Sequence, residues 1–156
     1  MSGTAERGPA QPGPRVLLVE DSRDDALLIV RAFRKAGLAL PAHVENGEAA
    51  VAYLVQAAAD GDQAPGSLPE LVLLDLKLPR KSGLEVLAWL RAQDTLRRLP
   101  VVVLTSSREA PDVRRAYDLG ANSYLVKPVG FEALRQLVET LGLYWLALNE
   151  PPDRGE

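Results

Sequence analysis

Leu71-Val72-Leu73-Leu74-Asp75 is the stretch on which the fold turns: an unbroken apolar run suited to a strand buried on both faces, closed by a carboxylate at its carboxyl tip. The arrangement recurs along the chain. Val16-Leu17-Leu18-Val19 runs into Glu20 and Asp21, Val101-Val102-Val103-Leu104 into Thr105, and Tyr124-Leu125-Val126 into Lys127. In an open parallel sheet, ligands bind outside the carboxyl ends of the strands. These carboxylates, the hydroxyl and the ammonium are therefore expected to converge although they lie far apart in sequence.

Between these runs the apolar period lengthens to that of a helix. Ser22, with an acid three residues on at Asp25, marks a helix start, and Ala26, Ile29, Val30 and Phe33 follow at helical spacing until Gly37. Ala42-His43-Val44 reads as a weak second strand, Asn46-Gly47 as a turn and Glu48 to Ala58 as an Ala-rich helix. After the turn from Pro79 to Gly83, Leu84, Leu87 and Leu90 line a third helix whose opposite side carries Glu85 and Arg91 or Gln93. Asp112 to Leu119 is a fourth, with Gly120 placed to cap it in a left-handed conformation. Phe131 to Leu148 is the last, with Leu134, Val138, Leu141, Trp145 and Leu148 at steps near three and four. Strands alternating with helices predict an α/β, flavodoxin-like (βα)5 three-layer sandwich with parallel sheet order 2-1-3-4-5.

The expected organisation is a disordered leader over 1–14, one domain over 15–148 ending in an extended helix, and a flexible tail over 149–156. The Gly-, Pro- and Asp-rich stretch within 59–70 reads as an inserted surface loop. Its Asp60-Gly61-Asp62 lacks the spacing of an EF-hand, so a solvated turn is expected rather than calcium. At 156 residues and 47% hydrophobic content, the chain suits a single core. A net charge of -3 and a pI near 5.3 weigh against direct nucleic-acid binding. The absence of cysteine excludes disulfides and thiolate chemistry. With neither a signal-peptide core nor a membrane-length apolar run, a cytoplasmic protein is expected.

Carboxylates crowded at one edge repel one another unless a cation compensates. All the candidate ligands are oxygens, which suits Mg2+, with Mn2+ possible; the sole histidine, His43, lies on the poor second strand and gives no reason for zinc. An aspartate can attack phosphorus to give an acyl phosphate, with the metal, Lys127 and Thr105 each taking a transferred oxygen. Asp75 is the candidate nucleophile. Taken singly, Asp75 reads more readily as a solvated strand-end acid, Thr105 as an ordinary strand residue and Lys127 as a surface amine. Convergence alone makes them functional.

Glu20-Asp21, Leu73-Leu74-Asp75-Leu76-Lys77-Leu78-Pro79 with Gly83, Thr105-Ser106, and Leu119-Gly120-Ala121 with Tyr124 and Lys127-Pro128 together resemble the response-regulator receiver family over about residues 15 to 142. The resemblance implies Asp75 as phosphoacceptor, and Asp21, Glu20 and the Lys77 carbonyl beside Asp75 as the metal site. Thr105 and Lys127 become phosphoryl contacts, and Thr105 with Tyr124 a switch. Glu20 stands where Asp is often found, and its extra methylene leaves room for a water between it and the metal. Lys127-Pro128 resembles the family's cis peptide, and Lys77 places an unusual cation at the mouth of the site. The 59–70 insertion and long final helix also resemble the small receivers paired with bacterial phytochrome kinases.

A stand-alone receiver phosphorylated by a sensor histidine kinase, and not a turnover enzyme, is the leading reading. A haloacid-dehalogenase-type phosphatase needs a second acid where Lys77 stands, and a phosphorylation-independent scaffold is the third alternative. Apolar side chains nearly all round the final turns, among them Leu141, Tyr144, Trp145 and Leu148, lead to an expected homodimer, or a kinase or target contact, with simple core extension as the plainer reading.

Overall fold

Alternation along the strands sorts the core into two layers. Leu17, Val19, Val72, Leu74, Val101 and Val103 point to one face of the sheet, where Leu54, Leu87 and Leu90 meet them. Val16, Leu18, Leu71, Leu73, Val102 and Leu104 point to the other, against Ile29, Phe33, Leu134 and Val138. Both faces are covered, so there is no position for a polar residue in these runs.

The computed structural model describes residues 14–60 and 68–152. The expected leader, apart from Pro14, most of the insertion and the end of the tail lie outside the described residues. The elements are β1 (Val16–Val19), α1 (Arg23–Lys35), β2 (Ala42–Val44), α2 (Gly47–Asp60), β3 (Leu71–Leu74), α3 (Gly83–Arg91), β4 (Val101–Thr105), α4 (Ala110–Asp118), β5 (Ser123–Val126) and α5 (Phe131–Leu141). The strands are parallel in the order β2-β1-β3-β4-β5, as expected from the sequence. Register aligns Val19 with Val44 and Leu74, which brings three strand ends level. Helices α1 and α5 cover one face, and α2, α3 and α4 the other.

Four expectations need correction. The helix from Phe131 does not run on as α-helix to Leu148: Gly142–Leu148 is π-helical, closed by Asn149 N–H donating to Tyr144 C=O at 2.7 Å. At its start the backbone presses on Leu38, where a Cβ on Gly142 would lie 2.5 Å from Leu38 Cδ1. Within this segment Trp145 and Leu146 pack on the core, while Leu143, Tyr144 and Leu148 stay exposed. Leu141, expected at an interface, is a core residue of the α1–α5 layer.

Arg91, read as a solvent-facing residue of α3, is half-buried and donates to the carbonyls of Gly120, Arg97 and Leu99 and to Asn122 Oδ1. The fourth correction is that no cis peptide occurs among the described residues, Lys127-Pro128 included. Lys127 is aimed inward by its place in the ladder: its N–H donates to Thr105 C=O at 2.8 Å, extending the β4–β5 pairing by one residue.

Candidate functional site

The strand ends do converge. Asp75, the residue after β3, is 6% exposed; its Oδ1 accepts from Thr105 Oγ1 at 2.8 Å and its Oδ2 lies 2.9 Å from Lys127 Nζ. The Lys77 N–H also points to Oδ1, at 3.3 Å. Behind Asp75 the chain folds back, with Gly83 N–H donating to Leu76 C=O at 3.0 Å. Only glycine fits there, because a Cβ would lie 2.1 Å from the Asp75 carbonyl oxygen. In the same loop Arg80 adopts a left-handed φ of 73° and pairs with Glu48 at 3.0 Å.

Glu20 is 1% exposed and Asp21 exposed, and one carboxylate oxygen from each lies within 4.8 Å of the others and of one from Asp75. Glu20 Oε2 accepts from Ser22 N–H at 3.1 Å. Its Oε1 is 2.7 Å from Lys127 Nζ, close enough for an ion pair, but it is buried without an aligned hydrogen-bond donor. Burial pushes the Glu20 carboxyl up to about 7; Asp75 adds to the rise, while Lys127 and the Ser22 N–H oppose it. A buried acid short of a donor, facing two other carboxylates, suits a hard cation: all the atoms offered are oxygens.

Burial alone would lower the Lys127 pKa, but hydrogen bonds to Asp25 and Asp75 and the ion pair with Glu20 outweigh it and hold the ammonium above its ordinary value. Asp25 was missed as a site residue. The sequence shows it as the acid behind the Ser22 cap, and its N–H does donate to Ser22 Oγ at 3.2 Å, yet its side chain reaches Lys127 at 2.8 Å. His43 stands on β2. Its Nε2 lies 2.7 Å from the Glu20 carbonyl, which can only accept, so the ring donates there and steadies the backbone bearing the acid.

Tyr124, on β5, donates its hydroxyl to the Ser107 carbonyl at 2.8 Å, tying the strand to the loop after β4. Ser107 in turn donates from Oγ to Asp112 Oδ2 at 2.6 Å on α4. Thr105, bonded to Asp75, thus lies two residues from Ser107, which joins the same loop to Tyr124 on β5 and to Asp112 on α4.

The family model described as "Response regulator receiver domain" matches residues 16–139, most of the chain. The chain belongs to the response-regulator receiver family. Its receiver fold is shared with relatives of similar length. It is 45% identical over 138 residues to the probable methanogenesis regulatory protein FilR2 of Methanothrix harundinacea, covering 88% of this chain and 86% of that protein. It is 37% identical over 138 residues to the response regulator Rcp1 of Synechocystis sp., covering 88% and 92%. Among solved structures, the phosphorylated cyanobacterial phytochrome response regulator RcpA superposes with a TM-score of 0.77 at 39% identity, over 92% of this chain and all of that one. A Mn2+-bound form of Rcp1 gives 0.75 at 36%, over 90% of this chain and 100% of that one. The receiver is therefore a signalling protein close to phytochrome response regulators, and phosphorylation by a histidine kinase is the family role. Among its described residues no helix is long and apolar enough to cross a membrane.

Proposed function

We propose that this receiver takes a phosphoryl group onto Asp75 from a sensor histidine kinase, of phytochrome type, in the cytoplasm, and signals through protein contacts rather than by turnover. The unit concerned is 15–148, the final helix included. The observation that carries the reading is the meeting of Asp75 with Thr105 Oγ1 and Lys127 Nζ beside an acidic, all-oxygen cluster. In the transfer, an Asp75 carboxylate oxygen attacks phosphorus, the P–N bond to the kinase imidazole breaks, and the imidazole nitrogen keeps the electron pair. Hydrolysis returns the carboxylate and inorganic phosphate.

Glu20, Asp21, Asp75 and the Lys77 carbonyl would hold Mg2+, or Mn2+, which supplies charge neutralisation to the transferred oxygens. The Thr105 hydroxyl and Lys127 ammonium neutralise the remainder. When Thr105 turns from Asp75 Oδ1 to a phosphoryl oxygen, the loop to Ser107 shifts, and Tyr124, bonded to the Ser107 carbonyl, shifts with it. The test is incubation with purified phytochrome-type and unrelated kinases carrying labelled phosphohistidine. Fast, Mg2+-dependent transfer from the phytochrome type is expected; transfer at equal slow rates from both would remove the phytochrome assignment.

Cation binding has a pH signature. Glu20 ionises near 4.5 when unfolded and near 7 in the folded, metal-free site. Between those values the folded state holds a proton that the unfolded state has lost, so this group lowers stability as pH rises from 4.5 to about 7. A cation on the ionised acid reverses that cost. The rise in Tm on adding Mg2+ is expected to be larger at about pH 8 than at about pH 5.5. Equal rises would show that Glu20 is not the titrating ligand.

A homodimer is the proposed assembly. Leu143, Tyr144 and Leu148 are 58%, 51% and 68% exposed, and Tyr144 lines a shallow groove with Leu125, Leu137 and Trp145. A second copy covers this face in the proposed dimer. Leu143→Glu with Leu148→Glu is expected to halve the sedimenting mass while leaving the fold intact. Wild-type protein sedimenting as a monomer, or an unchanged profile in the variant, defeats the proposal.

A further inference from the structure

The Lys127 ammonium has three donors and three carboxylates around it: Glu20 Oε1 at 2.7 Å, Asp25 Oδ2 at 2.8 Å and Asp75 Oδ2 at 2.9 Å. Two of these acids have other obligations. Glu20 and Asp75 belong to the cluster that fits a cation, and Asp75 is also the proposed site of phosphoryl attachment; Asp25 lies outside that cluster. Among the described residues it is the one ammonium partner not shared with a bound cation.

Its mounting suits such a role. Asp25 stands in the first turn of α1, its N–H fixed by Ser22 Oγ, and its neighbours Ala26 and Ile29 are buried in the α1–α5 layer. Lysine has a long, flexible stem, so an ammonium whose partners turn elsewhere would not keep its place unaided. We propose that Asp25 is a positioning residue for phosphoryl capture: it holds Lys127 beside Asp75 while Glu20 and Asp75 engage the cation and the incoming phosphoryl group. The inference rests on the reading of Asp75 as phosphoacceptor.

A purely electrostatic Asp25 makes the opposite prediction. Removing an acid from beside an incoming anion would tighten anion binding, whereas removing an anchor loosens it.

The two are separated by calorimetric titration of the full chain with Mg2+ alone, and then with beryllofluoride, which stands in for the phosphoryl group, in the presence of Mg2+. Asp25→Ala is expected to weaken beryllofluoride binding about tenfold, the loss of one hydrogen bond to a charged group. Asp25→Asn is expected to stay within about threefold of wild type, because its amide oxygen still accepts from the ammonium. Mg2+ affinity without beryllofluoride should change less than about twofold in both, since Asp25 is not a ligand. Wild-type or tighter beryllofluoride binding by Asp25→Ala overturns the proposal. So does an Asn variant that loses as much as Ala, or an Mg2+ affinity that falls in step. If wild-type protein fails to bind beryllofluoride at all, the receiver reading goes, and this inference with it.

Discussion

Asp75→Asn is expected to abolish phosphoryl uptake. Incubated with acetyl phosphate and Mg2+, wild-type protein should gain the mass of one phosphoryl group, and the variant none. The effect should be total because the amide offers no anionic oxygen to attack phosphorus, and Thr105 and Lys127 supply no substitute nucleophile at that position. The fold should survive. An amide is nearly isosteric with the carboxylate and still accepts from Thr105 Oγ1 or Lys127 Nζ, while Glu20 and Asp25 continue to pair the ammonium. A full adduct in the variant would place the acceptor elsewhere. An absent adduct in the wild type would instead favour a scaffold whose acidic pocket is not used, and sustained phosphomonoester hydrolysis would favour the phosphatase alternative.

Arg91→Ala should produce the largest loss of stability among surface-proximal substitutions, about 2–4 kcal/mol. For a domain of this size that lowers Tm by roughly 6–15 °C. The guanidinium donates to three backbone carbonyls, those of Gly120, Arg97 and Leu99, and to Asn122 Oδ1, at 2.7 to 3.0 Å. It thereby joins the end of α3, the connection into β4 and the turn after α4. Asn122 Oδ1 also accepts from Val101 N–H at 2.8 Å, so the loosened turn would reach the first residue of β4. Arg91→Lys should recover only part of the loss, because a single ammonium cannot span acceptors laid out for a planar fork. Urea or thermal unfolding measures both. A loss under about 1 kcal/mol would mean that water satisfies those carbonyls as well as arginine does. Since Arg91 does not touch Asp75, labelling by acetyl phosphate below the melting range should be unaffected.

Legibility followed the distance over which a residue's role was decided. β1, β3 and β4 were readable because a strand buried on both faces must be apolar throughout, and Asp75, Thr105 and Lys127 because they interrupt or follow such runs at the end where a parallel sheet presents its site. Asp25 was readable only as a capping acid. One residue performs two tasks, its backbone serving the helix start and its side chain an amine 102 positions away, and only the first leaves a local pattern. Arg91 sits at a position that helical periodicity assigns to solvent, but the acceptors that bury it come from the β4 connection and the turn after α4. The last turns of the chain show the same limit: apolar spacing near 3.6 predicts a continuing α-helix, whereas a π-helical segment begins where Gly142 meets Leu38.

By itself the sequence determined the layer architecture, the strand order and the identity of the groups at the sheet's carboxyl edge. Burial on both faces and the handedness of the crossovers leave few alternatives once the apolar runs are counted. The tertiary structure alone decided how those groups are paired. It put the Asp25 side chain on Lys127, left Glu20 Oε1 without an aligned donor, and divided the last turns into a buried and an exposed side. Pairing depends on angles and distances of a few ångströms between side chains from different elements, and no local pattern of residue types encodes those.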